Sequence, residues 1–333
     1  MNLENLGWNK QFEYEFEKIS KTIKKPNLIF GRVALTYNDF YRVISEQGEQ
    51  LTKVAGRLKL RSRRADLPAV GDWVVVENDK NLIQAVLPRR TKFSRKVAGK
   101  YIVEQVVAAN IDIIFVVTSC NADFNARRLE RYVTLASEGG IVPIVVLSKS
   151  DLCDAGQLED YVAASKAITS YETIVISSDT GAGLEAVKEY VRFGKTIAIV
   201  GSSGVGKSTL INALLGTDRL KTGAIRETDD RGRHSTIHRE LIIMPGGGVI
   251  IDTPGMRELQ LWGAGDGLAD AFEDISAISE HCRFSDCRHE KEPDCAVIAA
   301  VEAGRLSQER YEGYVKLNTE KINLQKTKKI TKK

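Results

Sequence analysis

Residues 201–208 form the segment best suited to holding phosphate groups. Their sequence, GSSGVGKS, has the spacing G-x-x-x-x-G-K-S and lies between an apolar run at 196–200 and a helical run at 209–215. Glycines in such a loop turn backbone N–H groups toward phosphate oxygens, and the following helix adds a favourable dipole. Lys207 would neutralise the β and γ oxygens, and the Ser208 hydroxyl would bind Mg²⁺. A simple glycine-serine turn is the alternative, but the flanking strand and helix favour a phosphate loop. The expected nucleotide-binding set is Gly201, Ser202, Ser203, Gly204, Val205, Gly206, Lys207, Ser208 and Thr209.

A second loop, SKSD at residues 148–151, could select the base. The carboxylate of Asp151 accepts hydrogen bonds, which suits the N1–H and N2 donors of guanine and disfavours adenine. Lys149 would cover the base, and Ser177 and Ser178 would form a backing loop. Ser148 stands where the usual pattern, N-K-x-D, has Asn, and its hydroxyl could still tie neighbouring loops together. The tetrapeptide alone is a weak signal, because surface turns often have this composition.

A third segment, residues 248–256, is an apolar strand that ends in the pattern D-x-x-G. Asp252 is expected to reach Mg²⁺ through a water, and the Gly255 amide to contact the γ-phosphate. Met256 follows, where Ras-like enzymes have a Gln that orients the attacking water. Because a thioether cannot do this, another group must hold the water.

The polar segment 226–239 supplies candidates for that role. It lacks apolar periodicity, as expected of a switch. Thr236 is the predicted second hydroxyl ligand of Mg²⁺, with Ser235 as the reserve. His234 could orient or deprotonate water, since imidazole titrates near neutrality. A solvated loop histidine is the alternative interpretation.

The order of these segments is unusual, because the base-reading loop precedes the phosphate loop. In ordinary small GTPases the phosphate loop comes first. The sequence therefore predicts an α/β, circularly permuted P-loop GTPase domain.

Three of the five cysteines lie with a histidine in one short window. Thiolates and imidazole at this spacing can converge on one ion, and four protein ligands leave no open position, so the predicted zinc is structural. Unrelated cytosolic thiols are the alternative. The predicted ligands are Cys282, Cys287, His289 and Cys295.

The surrounding elements fit three further predictions. Five short strands, at 28–37, 40–45, 51–59, 73–78 and 82–87, indicate an OB-type β-barrel. Residues 89–109 are predicted to form a basic linker and helix. Helices are expected at 268–278, 295–303 and from 307 onward.

Composition bounds the remaining possibilities. Net charge is only +4, but residues 53–100 hold 13 Lys or Arg against 4 Asp or Glu, and residues 321–333 hold six lysines and no acid. Local basic excess suits an RNA backbone, although a charge run is often only a solvated face. The first 20 residues lack a signal-peptide core and no apolar run approaches membrane length. A cytoplasmic protein without a membrane partner is expected.

Taken together, the barrel, the SKSD loop, GSSGVGKS, the run GRHST at 232–236, the D-x-x-G segment and the cysteine cluster resemble the RsgA family of circularly permuted GTPases. The resemblance covers nearly the whole chain. It implies a GTPase that acts in late maturation of the small (30S) ribosomal subunit, binds 16S-type rRNA and hydrolyses GTP faster when docked. A monomer is expected. Ser148, Ser235 and Ile237 depart from the family pattern. The predicted catalytic residues are His234, Lys207 and Thr236, with an RNA group as the alternative to His234 for positioning the water.

The expected parts are an N-terminal helical extension at 1–27, the OB-type barrel at 28–95, the permuted GTPase domain at 96–262 and a helical zinc-binding domain with a basic tail at 263–333. Expected cofactors are GTP or GDP, Mg²⁺ and one Zn²⁺. Two other functions remain open. One is an RNA-binding protein that uses guanine nucleotide only as a conformational sensor, and the other is a GTPase with a non-ribosomal partner.

Overall fold

The computed structural model describes residues 2–97, 103–220, 239–253 and 267–330. A short 3-10 helix, Leu3–Leu6, precedes the first α-helix. Helix α1, Lys10–Ser20, is capped by the side chain of Asn9, which accepts from the N–H groups of Gln11 and Phe12. Trp8 stacks on Phe30 with ring centroids 3.9 Å apart, and Phe12 is buried. The N-terminal segment therefore packs through aromatic rings on the barrel that follows.

Five strands form the barrel. Strand β1 pairs with β2, β2 with β3, β3 with β5, β5 with β4, and β4 again with β1, which closes the sheet. Small apolar side chains such as Val33, Val43 and Ile83 fill its interior. The strands are β1 Leu28–Tyr37, β2 Phe40–Ser45, β3 Gly48–Val54, β4 Trp73–Glu77 and β5 Leu82–Val86.

Two predicted elements near the barrel are wrong. The third strand begins at Gly48 and ends at Val54, and the short helix α2, Gly56–Arg61, follows where the strand was expected to continue to residue 59. The expected helix within 89–109 is instead a two-stranded sheet of β6, Lys92–Lys96, and β7, Glu104–Ala109. Burial of Phe93 and of the apolar end of β7 favours paired strands over an exposed helix.

The central sheet has the order β10-β9-β8-β11-β13-β12, with every pair parallel except β12 with β13. Its middle strand, β11, lies between β8 from earlier in the chain and β13 from later. The strands are β8 Ile113–Ser119, β9 Val142–Ser148, β10 Thr173–Val175, β11 Thr196–Val200, β12 Glu240–Ile243 and β13 Val249–Asp252.

Helices cover both faces of this sheet, as parallel strands require. Helices α3, Ala126–Glu138, and α4, Ala155–Ile168, contribute to one apolar cluster, and α5, Leu184–Lys188, and α6, Lys207–Leu215, contribute to the other. The cluster beneath α3 continues into the C-terminal helices. Those helices are α7 Gly267–Ala271, α8 Glu273–Ser279, α9 Ala296–Glu302 and α10 Gln308–Ile330. The helix predicted at 268–278 is therefore divided into two at Phe272.

Strand pairing and a buried arginine both join the barrel to the central sheet. Strand β1 pairs with β12 through Leu35 and Glu240. The fully buried Arg32 donates hydrogen bonds to the carbonyls of Leu6, Gly71 and Asn110 and to the hydroxyl of Thr196. One guanidinium thus connects the N-terminal segment, the barrel and the first residue of β11. Across the described ranges, no helix is both long enough and apolar enough to span a membrane.

Candidate nucleotide site and metal-binding cluster

The predicted nucleotide-binding segments meet at one edge of the central sheet. Ser119 at the end of β8 is aligned with Ser148 at the end of β9, and Ile199 of β11 is aligned with Asp252 at the end of β13. Parallel strands end at a common edge, where α/β proteins bind their ligands. The base-reading loop, the phosphate loop and the D-x-x-G segment are therefore adjacent in the fold, although their order along the chain is rotated.

The phosphate loop leaves β11 and enters α6. Gly201 has φ 154°, and a Cβ there would lie 2.4 Å from the carbonyl oxygen of Val117. Gly206, with φ 95°, directly precedes the first helical residue, Lys207. Glycine is therefore required at Gly201 by close packing and is favoured at Gly206 by the left-handed backbone.

Lys207 is buried, with 8% of its surface exposed. Its ammonium donates to the carbonyl oxygens of Ser202 at 2.6 Å and Gly201 at 3.1 Å. These bonds hold the charge beside the backbone of the loop that would surround the phosphates. The structure thus places a preorganised cation where phosphate oxygens are expected.

The base-reading loop lies directly against the phosphate loop. The hydroxyl of Ser148 donates to the carbonyl of Val205 at 2.6 Å and also lies 3.2 Å from that of Thr118. Lys149 adopts a left-handed backbone with φ 60°, and Asp151 follows with an exposed side chain. The carboxylate is therefore available to a ligand beside the loop that Ser148 ties down.

The backing loop is fixed to the same edge. The N–H of Ser150 donates to the carbonyl of Ile176 at 3.2 Å. The hydroxyl of Ser177 accepts from the N–H of Thr180, and Ser177 is buried while Ser178 is half-buried. The structure thus brings the predicted residues of 148–151 and 177–178 together.

The switch residues are described only in part. Asp252 ends β13, and the next residue, Thr253, donates its hydroxyl to the carbonyl of Ile199 at 2.6 Å. This bond fixes the start of the D-x-x-G segment to β11. The predicted site residues His234, Ser235, Thr236, Gly255 and Met256 lie outside the described residues.

Two residues that contact the phosphate loop carry no motif in the sequence. Asp123, between β8 and α3, accepts from the hydroxyl of Ser202 at 2.6 Å, and Tyr132 of α3 hydrogen-bonds to the backbone of Gly201. The only sequence signal for this loop is Asn125, which caps α3 by accepting from the N–H of Arg128. Such a cap predicts where the helix begins, but not which loop it contacts.

The four predicted metal ligands converge in the C-terminal region. All four ligand atoms lie within 4.8 Å of one another. His289 Nδ1 lies 3.4 Å from Cys295 Sγ, and Cys282 Sγ lies 3.9 Å from Cys295 Sγ. A tetrahedral site with Zn–S bonds of ~2.3 Å has sulfur separations of about 3.8 Å, so the donor set and its spacing fit Zn²⁺.

The cluster environment also suits a bound cation. Burial raises the pKa of the Cys287 thiol to about 12 and lowers the pKa of His289. A neutral imidazole is the form that binds metals, and a cation would favour the thiolates that burial alone disfavours. The hydroxyl of Tyr311 donates to the carbonyl of His289 at 2.6 Å, which fixes this turn on α10.

Comparison with known proteins gives a consistent result. Residues 86–262 match the model of the family described as RsgA GTPase. A protein of Syntrophotalea carbinolica named "Small ribosomal subunit biogenesis GTPase RsgA" is 40% identical, covering 96% of this chain and 90% of the relative. "Small ribosomal subunit biogenesis GTPase RsgA 2" of Lactiplantibacillus plantarum is 45% identical, covering 89% and 84% respectively.

Solved structures show the same relationship. The crystal structure of YjeQ from Thermotoga maritima is similar with a TM-score of 0.66 and 28% identity, covering 89% of this chain and 98% of that one. The structure of YloQ, described as a circularly permuted GTPase, has a TM-score of 0.61 and 28% identity, covering 90% and 97%.

Proposed function

This chain belongs to the RsgA GTPase family, and on that premise we propose that it hydrolyses GTP to GDP and phosphate during late maturation of the small ribosomal subunit, faster when docked on that subunit. The main structural evidence for a single nucleotide site is the 2.6 Å hydrogen bond from the hydroxyl of Ser148 to the carbonyl of Val205. It joins the base-reading loop to the phosphate loop, so one guanine nucleotide can contact both. The subunit is inferred from the names of the relatives.

Guanine selection is assigned to Asp151, whose exposed carboxylate offers two acceptors to the N1–H and N2 donors of guanine. Lys149 covers the base, and Ser177 and Ser178 support the loop. The phosphates are assigned to the backbone of residues 201–209. The half-buried Ser208 lies at the start of α6, where the helix dipole also favours an anion.

Phosphoryl transfer to water depends on charge stabilisation. Lys207 holds its ammonium at the loop carbonyls and is poised to contact the β and γ oxygens. Mg²⁺, when bound, would neutralise further charge on these oxygens, and Ser208, Thr236 and, through a water, Asp252 would hold it. His234 is assigned to positioning the attacking water when the protein is docked on the small subunit. Gly255 is assigned to contacting the γ-phosphate.

RNA binding is supported by the charge around the barrel. Helix α2 presents Arg57 and Arg61 to solvent beyond β3. Near the start of β12, the Nε atom of Arg239 is buried without a hydrogen-bond partner among the described residues. Burial, and then repulsion by Arg95 and Arg64, lowers the pKa of Arg239 to about 10. A phosphate group of the rRNA backbone would relieve this repulsion.

Zn²⁺ is assigned a structural role at Cys282, Cys287, His289 and Cys295, since four protein ligands fill a tetrahedral site. We also propose that the chain is a cytoplasmic monomer. Its proposed parts are residues 1–27, 28–95, 96–262 and 263–333.

Hydrolysis of GTP should be measured with purified small subunits, with large subunits, with bare rRNA and with none. We expect slow turnover alone and strong stimulation by small subunits only. A protein that binds GTP tightly but turns it over equally slowly in all four conditions would be a nucleotide-sensing RNA binder instead. Stimulation by neither ribosomal subunit, but by another partner, would contradict the ribosomal assignment.

Two variants test the roles proposed for Lys207 and His234. Lys207→Ala should weaken binding of GTP and GDP because it removes the cation at the phosphates. His234→Ala should bind GTP normally and lose stimulated turnover. Full stimulation of the His234 variant would contradict the role of that residue.

A further inference from the structure

The carboxylate of Asp123 is held against the phosphate loop by two short bonds. Its Oδ2 accepts from the hydroxyl of Ser202 at 2.6 Å and from Nη2 of Arg128 at 2.9 Å. Ser202 is buried, whereas Asp123 is partly exposed. Hydrogen bonds to an ionised acceptor are among the stronger ones in proteins. This contact therefore fixes a residue of the phosphate loop from outside the G-x-x-x-x-G-K-S motif.

Ser202 is bonded through its backbone as well. Its carbonyl oxygen accepts from the ammonium of Lys207 at 2.6 Å. A backbone movement of Ser202 that shifted this carbonyl would therefore also strain the bond from its hydroxyl to Asp123. The Asp123 carboxylate is thus linked through one intervening residue to the cation assigned to the phosphates.

The loop that carries Asp123 is itself fixed. Asn121 accepts from the N–H of Asp123 at 2.9 Å and from the hydroxyl of Ser119 at 2.8 Å. Arg128 lies in the first turn of α3 and also donates to the backbone carbonyl of Asp123. A carboxylate beside an anion site would normally oppose ligand binding, and the guanidinium offsets its charge. Asp123 is therefore better suited to supporting the phosphate loop than to contacting the ligand directly.

We propose that Asp123 is a positioning residue of the GTP site, which preorganises the phosphate loop through Ser202 so that Lys207 is held ready for the phosphates. This inference rests on the proposed function. Preorganisation lowers the cost of ordering the loop on binding. Loss of Asp123 should therefore weaken GTP and GDP alike, and change the KM for GTP more than kcat.

The test is a double-mutant cycle of Asp123→Ala and Ser202→Ala, with dissociation constants measured for fluorescent GDP and GTP analogues. Each single variant should bind about tenfold more weakly, as expected for one lost charge-assisted hydrogen bond. The double variant should bind no more weakly than either single variant, because both remove the same bond. Asp123→Asn keeps an acceptor oxygen and should lose less affinity than Asp123→Ala.

Asp160→Ala, which removes an exposed carboxylate of α4, is the matched control and should bind like the wild type. Thermal unfolding of the nucleotide-free variants checks that each is folded. Additive losses in the double variant, or normal binding by Ser202→Ala, would overturn the inference. Wild-type protein that binds no guanine nucleotide would instead refute the proposed function, so the two failures are distinguishable.

Discussion

The hydroxyl of Ser148 donates a 2.6 Å hydrogen bond to the carbonyl oxygen of Val205, 57 residues later in the chain. The hydroxyl oxygen of Ser148 also lies 3.2 Å from the carbonyl oxygen of Thr118. A serine at this position therefore ties the base-reading loop to the phosphate loop, as anticipated from its hydroxyl. The two loops are expected to order together around one nucleotide.

Ser148→Ala should weaken GDP binding, because it leaves the buried Val205 carbonyl without its donor. Such a loss costs about 1–3 kcal/mol, which corresponds to roughly 5-fold to 150-fold in affinity. The dissociation constant of a fluorescent GDP analogue measures it. Ser150→Ala is the control, since no side-chain hydrogen bond of Ser150 is found among the described residues. Equal affinities of the Ser148 variant and the wild type would show that the bond does not support the site.

Asp151→Asn should change the preferred base from guanine to xanthine. The amide keeps an acceptor for N1–H and gains a donor for the oxygen that xanthine carries at C2, while it repels the amino group of guanine. Affinity for GDP should fall by about 100-fold, since the N2 amino group of the bound guanine then faces a donor and is left unpaired. Competition between GDP and XDP for the labelled site is the measurement. A variant with unchanged preference for GDP would contradict the assignment of Asp151 to the base.

The sequence could predict the rotated order of the nucleotide-binding segments and the convergence of the cysteines, because each depends on a local pattern. The permuted fold class with its barrel is confirmed. The proposed role of Asp123 could not be predicted from the sequence. Its contact with Ser202 joins residues 79 positions apart, and no motif in either loop indicates that the two loops are in contact. The strand pair β6 and β7 was missed because the basic residues indicated a linker and helix, whereas Phe93 and the apolar end of β7 are buried in paired strands.

Cys287→Ser should remove the bound metal, because the remaining three ligands leave the tetrahedral site incomplete. Wild-type protein should contain one zinc per chain by elemental analysis, and the variant much less. Its melting temperature should fall, while GDP affinity should change little because the nucleotide loops lie elsewhere. Cys153→Ser is the control and should retain the metal, since this thiol is not part of the cluster. Equal zinc content in both variants would refute the metal site.

Arg32→Met should destabilise the junction between the barrel and the central sheet. Arg32 is fully buried, and burial lowers its pKa to about 9, yet it satisfies four acceptors that a thioether cannot. We expect a loss on the order of 3 kcal/mol in the free energy of unfolding, measured by urea denaturation. Arg57→Met, on the exposed helix α2, should cost less than about 0.5 kcal/mol. Similar losses for the two variants would contradict the proposed importance of the junction.

Arg310 and Glu130 form a buried ion pair between α10 and α3, with Nη1 and Oε1 3.4 Å apart and both side chains below 10% exposure. Arg310→Met should cost about 3–5 kcal/mol near pH 8, because it leaves a buried carboxylate without its partner. The exposed pair of Arg127 and Glu312 joins the same two helices, so Arg127→Met is the matched control and should cost less than about 1 kcal/mol.

The pH dependence of stability distinguishes the loss of the ion pair in Arg310→Met from a loss of packing. Burial raises the pKa of Glu130, and Arg310 opposes this rise. Without Arg310 the pKa of Glu130 should rise further, so the folded variant binds a proton at a pH where its unfolded chain has released one. Stability of Arg310→Met should therefore increase as the pH falls from 8 toward 5, relative to the wild type. Thermal unfolding across this range measures the difference, and Glu130→Gln in the same chain should abolish it. A deficit that does not change with pH would instead indicate lost packing against Phe272, over which Arg310 lies at 3.9 Å, or lost bonds to Asp274 and to the carbonyl of Ala271.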